Sequence, residues 1–270
     1  MKAESRWLRH HSAALHLADF GGAGPTALLV HGLGGSHANF SSLGPLLAAR
    51  MRVLALDLPG FGLSHPGAGC NVPAFVDAVG RVIDAIGAGE IEGTSLPLTL
   101  VGNSMGGAVS ILAASERSAE PRDGAVARLI LVCPALPFAR PRDADPRFML
   151  LIASAMLPGY DAFLRRRLRQ AGPAALVHEM LKLTCADRRR VEASAIADMV
   201  ALAERRAGFA WMATSFSEAA RSIARTLLAR RGYEAAMRSV RAPVLLVHGD
   251  RDRLVPVSSA RAAAAACPSW

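Results

Sequence analysis

The sequence predicts an α/β fold, a mostly parallel, doubly wound sheet interrupted once by a helical insertion. Three observations predict it. Short, continuously apolar runs of strand length recur along the chain, amphipathic helical stretches separate them, and one long proline-led segment is helical throughout.

Taken in order, Trp7–Arg9 and Leu15–Asp19 alternate and read as a leading hairpin. After the turn signal GGAGP, Thr26–His31 (TALLVH) is apolar without alternation, as in a strand covered on both faces. Val53–Leu56 reads as a strand, Pro73–Ile86 as a helix, Leu98–Val101 as a strand and Met105–Arg117 as a helix. Leu129–Val132 and Val244–Val247 are further strands. Between Pro134 and Ala242 the rhythm breaks. Pro134, Pro137, Pro141 and Pro146 mark an exit from the sheet, and helical spacings follow, such as Leu176, Val177, Met180, Leu181 and Ile196, Met199, Val200, Ala203. The expected division is a core of residues 1–136 and 226–270, with 137–225 as a helical cap lying over the sheet.

Composition bounds the function. With 270 residues and 51% hydrophobic content the chain can bury a large core. The net charge is +9, and residues 140–241 carry the surplus, with 19 Lys+Arg against 10 Asp+Glu. No nucleic-acid module or interleaved aromatics accompany that charge, so no nucleic-acid partner is expected, and solvated helix faces such as Arg165–Arg167 and Arg188–Arg190 are the simplest account. Cys70, Cys133, Cys185 and Cys267 are far apart and make neither a disulfide framework nor a metal-ligand spacing. The opening MKAESRWLRHH lacks the apolar stretch of a signal peptide, and the longest apolar run, Phe148 to Pro158, is too short to span a bilayer. A cytoplasmic protein without stable membrane anchoring, metal or cofactor is expected.

The segment that carries chemistry is Gly102-Asn103-Ser104-Met105-Gly106, set between the apolar run LTLV and the helical AVSILAA. A serine on so sharp a strand-to-helix turn is lifted above the sheet edge, and residues around it must be small. The helix that begins there aims amide groups at any developing oxyanion.

Three more motifs follow the same logic of order. They are His31-Gly32-Leu33-Gly34-Gly35, Asp57-Leu58-Pro59-Gly60-Phe61-Gly62-Leu63-Ser64, and Gly249-Asp250-Arg251-Asp252-Arg253-Leu254-Val255-Pro256. Together with the serine turn they resemble the α/β-hydrolase family, in its capped serine hydrolase and esterase branch. The resemblance implies Ser104 as nucleophile, Leu33 and Met105 as backbone donors of the oxyanion hole, and Asp252 as the acid of a triad, with Asp250 as its neighbouring rival. It implies hydrolysis of a small apolar carboxylic ester through an acyl-enzyme, with thioesters or C–C bonds as alternatives. His31 is expected to hydrogen-bond its own loop, His248 to be a buried, satisfied side chain, and His37 to sit in a solvated loop. The 57–64 motif is expected to be structural.

One departure stands out. In the family a histidine follows the acid, after a further strand and helix. Here 18 residues follow Asp252 and all eight histidines precede it, so the final strand and its histidine are not found in this sequence. The expectation is a serine hydrolase that is complete only in a longer parent sequence and has little or no esterase activity as it stands, or a non-catalytic protein that binds a small apolar ligand.

Overall fold

The computed structural model describes residues 3–118, 124–140, 143 and 145–270. Seven strands form one sheet: β1 (Glu4–His10), β2 (Ala13–Gly21), β3 (Thr26–Val30), β4 (Arg52–Leu56), β5 (Leu98–Asn103), β6 (Val126–Val132) and β7 (Val244–Val247). Their order in space is β1-β2-β4-β3-β5-β6-β7. The hairpin β1–β2 is antiparallel and joins β4 antiparallel, while β4, β3, β5, β6 and β7 are mutually parallel. The carboxyl ends of the five parallel strands therefore lie along one edge, where a doubly wound fold places its site.

Why these runs form central strands follows from side-chain alternation. β3 and β4 are buried at every position. Leu28, Val30, Leu54 and Leu56 enter one core layer, and Ala27, Leu29, Val53 and Ala55 enter the layer on the opposite face. The first layer is closed by helix α2 (Val72–Gly87) and helix α3 (Met105–Ser118). Asn71 caps α2 by accepting from the Ala74 N–H, Pro73 fits its first turn, and Phe75, Val79, Val82, Ile83 and Ile86 make one buried stripe. A short helix, α1 (Leu43–Ala48), lies over β2 and β4.

Between β6 and β7 the described residues are helical: α4 (Pro146–Ala155), α5 (Tyr160–Ala171), α6 (Pro173–Thr184), α7 (Ala193–Arg206), α8 (Met212–Leu228) and α9 (Arg230–Ser239). The expected boundary at 225 falls inside α8, which runs on to Leu228. α9 returns to the core, where the Tyr233 hydroxyl donates to the Ala135 carbonyl at 3.0 Å. Pro141 lies outside the described residues. The helix α10 (Val257–Ala266) follows β7, whose Leu245 and Val247 are exposed along the sheet edge. No helix among the described residues is long and apolar enough to cross a membrane.

Candidate active site

Ser104 stands between β5 and α3 in a left-handed backbone conformation, with φ +53. For a residue with a Cβ that conformation is strained, so the surroundings must hold it. They do so through backbone bonds and glycine packing. The Ser104 N–H donates to the Val132 carbonyl at 3.1 Å, and the Ser104 carbonyl accepts from Ala135 N–H at 2.8 Å and Gly107 N–H at 2.9 Å. A Cβ on Gly106 would lie 2.3 Å from the Val30 oxygen, and one on Gly107 would lie 2.7 Å from Pro134 Cβ. One on Gly102 would meet the Gly106 oxygen at 2.5 Å. The helix start can thus sit against the end of β3 only because these positions carry no side chain. Among the described residues the Ser104 hydroxyl has no hydrogen-bond partner.

The loop after β3 comes directly alongside. A Cβ on Gly32 would be 2.9 Å from Ser104 Cβ and 3.4 Å from its Oγ. Leu33 follows Gly32, and Met105 follows Ser104 as the first residue of α3, where helical N–H groups have no intrahelical acceptor. Over this loop, the Phe216 ring of α8 lies 3.1 Å from where a Cβ on Gly34 would be. Leu33 and Phe216 both pack on the cluster of Ala155, Tyr160 and Ala220.

Asp252 lies in the loop leaving the carboxyl end of β7, two strands from Ser104 on the same sheet edge. Its Oδ1 accepts from the Leu254 and Val255 N–H groups at 2.8 and 3.0 Å, so the carboxylate is held in place and is 16% exposed. Asp250, at 87% exposed, reaches only Arg251, at 3.9 Å, among the described residues. Of the two acids, Asp252 is the one whose carboxylate is held by its own loop. Cys133 stands between it and the serine: its N–H donates to the Val247 carbonyl at 2.8 Å, and its φ is +44. Burial raises the Cys133 thiol pKa; the Gly249 backbone opposes this and the Asp252 carboxylate adds to it.

At the carboxyl end of β4 lies a buried charge network that the sequence did not announce. Asp57 Oδ2 accepts from His16 Nδ1 and His37 Nδ1, each at 2.8 Å, and from the Leu63 N–H at 2.8 Å. Its Oδ1 accepts from the His37 N–H at 2.7 Å. Burial would raise this carboxyl's pKa, but the bonds from His16 and His37 outweigh burial and hold it well below the ordinary carboxylate range. A Cβ on Gly62 would fall 1.8 Å from the Asp57 carboxyl carbon, which explains that glycine. The 57–64 segment, expected to be structural, supplies this acceptor. Although His16, His37 and Asp57 converge closely enough to ligate a metal, both Nδ1 atoms already face the carboxylate and no solvent reaches its oxygens.

The histidines divide cleanly. His31 Nδ1 donates to its neighbour's Gly32 carbonyl at 2.8 Å, and its Nε2 accepts from the Leu58 N–H at 3.1 Å. Burial pulls its pKa down to about 4, which matches that neutral tautomer. His248 is half-buried, with Nε2 bonded to the Val255 carbonyl at 2.8 Å and 3.7 Å from Asp252 Oδ2, but its Nδ1 is unpartnered, so the expectation of a buried, satisfied histidine is met only in part. Nor is His37 simply a solvated loop residue, being tied to Asp57 by ring and backbone. The helical surplus of arginine also has an exception. Arg165–Arg167 and Arg188–Arg190 are exposed, but Arg206 is buried at the end of α7, where it feels the Asp57 charge.

The family model described as the alpha/beta hydrolase fold matches residues 25–269. The chain belongs to this family. A pimeloyl-[acyl-carrier protein] methyl ester esterase from Aromatoleum aromaticum (strain DSM 19018 / LMG 30748 / EbN1) is 29% identical over 242 residues, covering 87% of this chain and 83% of that protein. An uncharacterized protein of Mycobacterium tuberculosis (strain ATCC 25618 / H37Rv) is 34% identical over 91 residues, 33% of this chain and 25% of that one, so the match spans about a quarter of that relative's length. Among solved structures, a membrane phospholipase A superposes with a TM-score of 0.69 at 26% identity, covering 98% of this chain and 76% of that one. An α/β hydrolase with esterase and lipase neighbours is the class these matches support.

Proposed function

We propose that this site hydrolyses small apolar carboxylic esters through an acyl-enzyme on Ser104. The observation that carries the reading is the strained serine itself, its hydroxyl unpartnered at the start of α3 with the Gly32 loop against it. In this reading Ser104 Oγ attacks the carbonyl carbon, and the carbonyl's electron pair moves to its oxygen between the Leu33 and Met105 N–H groups. The alcohol leaves with a proton, and water then attacks the acyl-enzyme to release the acid. Asp252 would orient and stabilise the conjugate acid of the base that shuttles these protons. Helices α4 to α8 would form the cap, with Leu33 and Phe216 offering apolar surface to the acyl or alkyl group.

The base is the open role. None of the eight histidines hydrogen-bonds Ser104 among the described residues, and a base acts within about 2.6–3.2 Å of the proton it takes. This polypeptide alone should therefore hydrolyse p-nitrophenyl esters only faintly, with Ser104→Ala changing the rate less than about tenfold. Free imidazole supplied from solution should raise turnover in a Ser104-dependent way. A fluorophosphonate should label Ser104 slowly, and faster with imidazole. No label on Ser104 under either condition would overturn the reading in favour of a ligand-binding protein without acyl chemistry. Ordinary enzymatic turnover lost in Ser104→Ala would instead assign the base to an upstream histidine. His37 would be first, because it is already coupled to Asp57, whereas both His248 nitrogens are enclosed.

A further inference from the structure

Away from the serine, the tip of the β1–β2 hairpin meets α2. His10 and Ala13 are paired across the hairpin, leaving His11 and Ser12 as a two-residue loop. Successive strand residues point to opposite faces, so adjacent histidines would normally diverge. Here His11 has φ +51, a turn position at which glycine or asparagine is usual, and the two rings come round to the same side with centroids 4.3 Å apart. Both then face one carboxylate oxygen. His10 Nε2 lies 3.2 Å and His11 Nε2 2.8 Å from Asp77 Oδ2, although Asp77 is 66 residues beyond His11 in sequence.

We propose that His10, His11 and Asp77 form a divalent transition-metal site, of the Zn²⁺ class, with water completing the coordination sphere. The geometry is close to what such an ion needs. Ligand atoms at 2.0–2.1 Å from a tetrahedral metal are about 3.3 Å apart. The His10–Asp77 separation already has that value, and the His11–Asp77 separation must open by about 0.5 Å. His11 is 55% and Asp77 56% exposed, so both side chains can make that adjustment and leave positions open to water. His10 is buried, which anchors the third ligand.

The surrounding charge suits a cation. The depression, about 310 Å³, is lined by Asp77, Asp84 and Glu116 against two arginines, Arg81 and Arg117. Both arginines are engaged: Arg81 with Glu90 at 2.7 Å, and Arg117 with Asp84 at 2.7 Å. Ligation needs no further reactant. Each neutral ring presents the Nε2 lone pair to the metal, and the proton it carried there moves through water to Nδ1. The buried His16–His37–Asp57 group is a poorer candidate, because its carboxylate already takes four N–H donors and has no room for water.

The test uses the untagged chain, freed of metal by chelator and titrated with Zn²⁺ near neutral pH by calorimetry. One Zn²⁺ should bind per chain. Losing a supporting group around a metal costs 10–100-fold, so losing a direct ligand in His11→Ala or Asp77→Asn should weaken binding by about 100-fold or more. Both positions are half exposed and the variants should keep the parent's circular dichroism. His178→Ala, an exposed histidine on α6, should bind as the parent does. Visible absorption of bound Co²⁺ in the parent, absent from the His11 and Asp77 variants, would support the same site. No saturable binding at millimolar Zn²⁺, or binding that survives both substitutions, would overturn the assignment.

Discussion

Asp57 offers the sharpest test of how the site's edge is held. Replacing it by alanine removes the acceptor of two ring N–H and two backbone N–H groups, all around a fully buried carboxylate. Each orphaned buried donor costs about 1 kcal/mol or more, and removing one partner of a buried ionic group costs about 3–5 kcal/mol. The two routes agree on roughly 4 kcal/mol, a large share of the 5–15 kcal/mol that typically holds a domain. In a chain of this size each kcal/mol moves the melting midpoint by roughly 2–4 °C, so Asp57→Ala should melt about 10 °C below the parent. Asp57→Asn should fall between them, since its amide oxygen still accepts while its NH₂ faces N–H groups. The assay is thermal unfolding followed by far-UV circular dichroism, with urea unfolding as the check on free energy. A loss below about 1 kcal/mol for the alanine variant would refute the claim that this carboxylate organises the loops after β3 and β4.

Three other outcomes follow from the same packing. Gly106→Ala, whose Cβ would press on the main-chain oxygens of Val30 and His31, should cost about 3 kcal/mol or more or prevent folding, whereas Gly208→Ala, open on all sides, should stay within about 1 kcal/mol by urea unfolding. Asp19 is raised by burial, but bonds from Arg52, the Gly21 N–H and Arg6 outweigh this and hold its pKa at about 2. A depressed carboxyl stabilises above its unfolded value near 4 and loses that stability as pH falls towards 2. Asp19 should therefore account for about 2 kcal/mol of the acid-limb loss, and that loss should flatten in Asp19→Asn; an unchanged acid limb would count against the pairing. In the imidazole-assisted ester reaction, Asp252→Asn should slow turnover and Asp250→Asn should not; the reverse ranking would show the wrong acid was chosen.

What the sequence made legible was what repeats locally. β7 spans Val244–Val247 as read, and α2 and α3 differ from their expected ends by one residue each, because apolar spacing and caps are properties of neighbouring residues. The leading hairpin was found but drawn short, since Glu4–Arg6 is polar and joins β1 only through pairing with β2. The serine turn and the Gly32 loop were legible from glycine placement, which records close backbone approach, and the Asp252 loop only through the family resemblance. Groups assembled across the chain were not legible. Asp57 and its two histidines come from three separate segments, 41 and 20 residues apart, and no spacing connects them. Arg206 looked like one more solvated arginine because the charge it faces is distant in sequence. His10 and His11 are brought to one side by the positive φ at His11, which no sequence pattern records.

The same contrast bears on how the serine is poised. A left-handed Ser104 costs roughly 1–2 kcal/mol, and nothing in its own side chain repays it, since its hydroxyl is unpartnered. The conformation persists because it is fixed from every side by atoms that cannot move independently: the Val132 carbonyl on one strand, the Ala135 N–H beyond it, and the β3 main chain against Gly106. None of these contacts involves a histidine ring. The serine's geometry therefore exists before any base is present, and removing or supplying one should change the rate of its chemistry without changing the turn. That is why imidazole from solution is a fair substitute for a side chain here: it has only to donate and accept a proton beside a hydroxyl the backbone already holds in place.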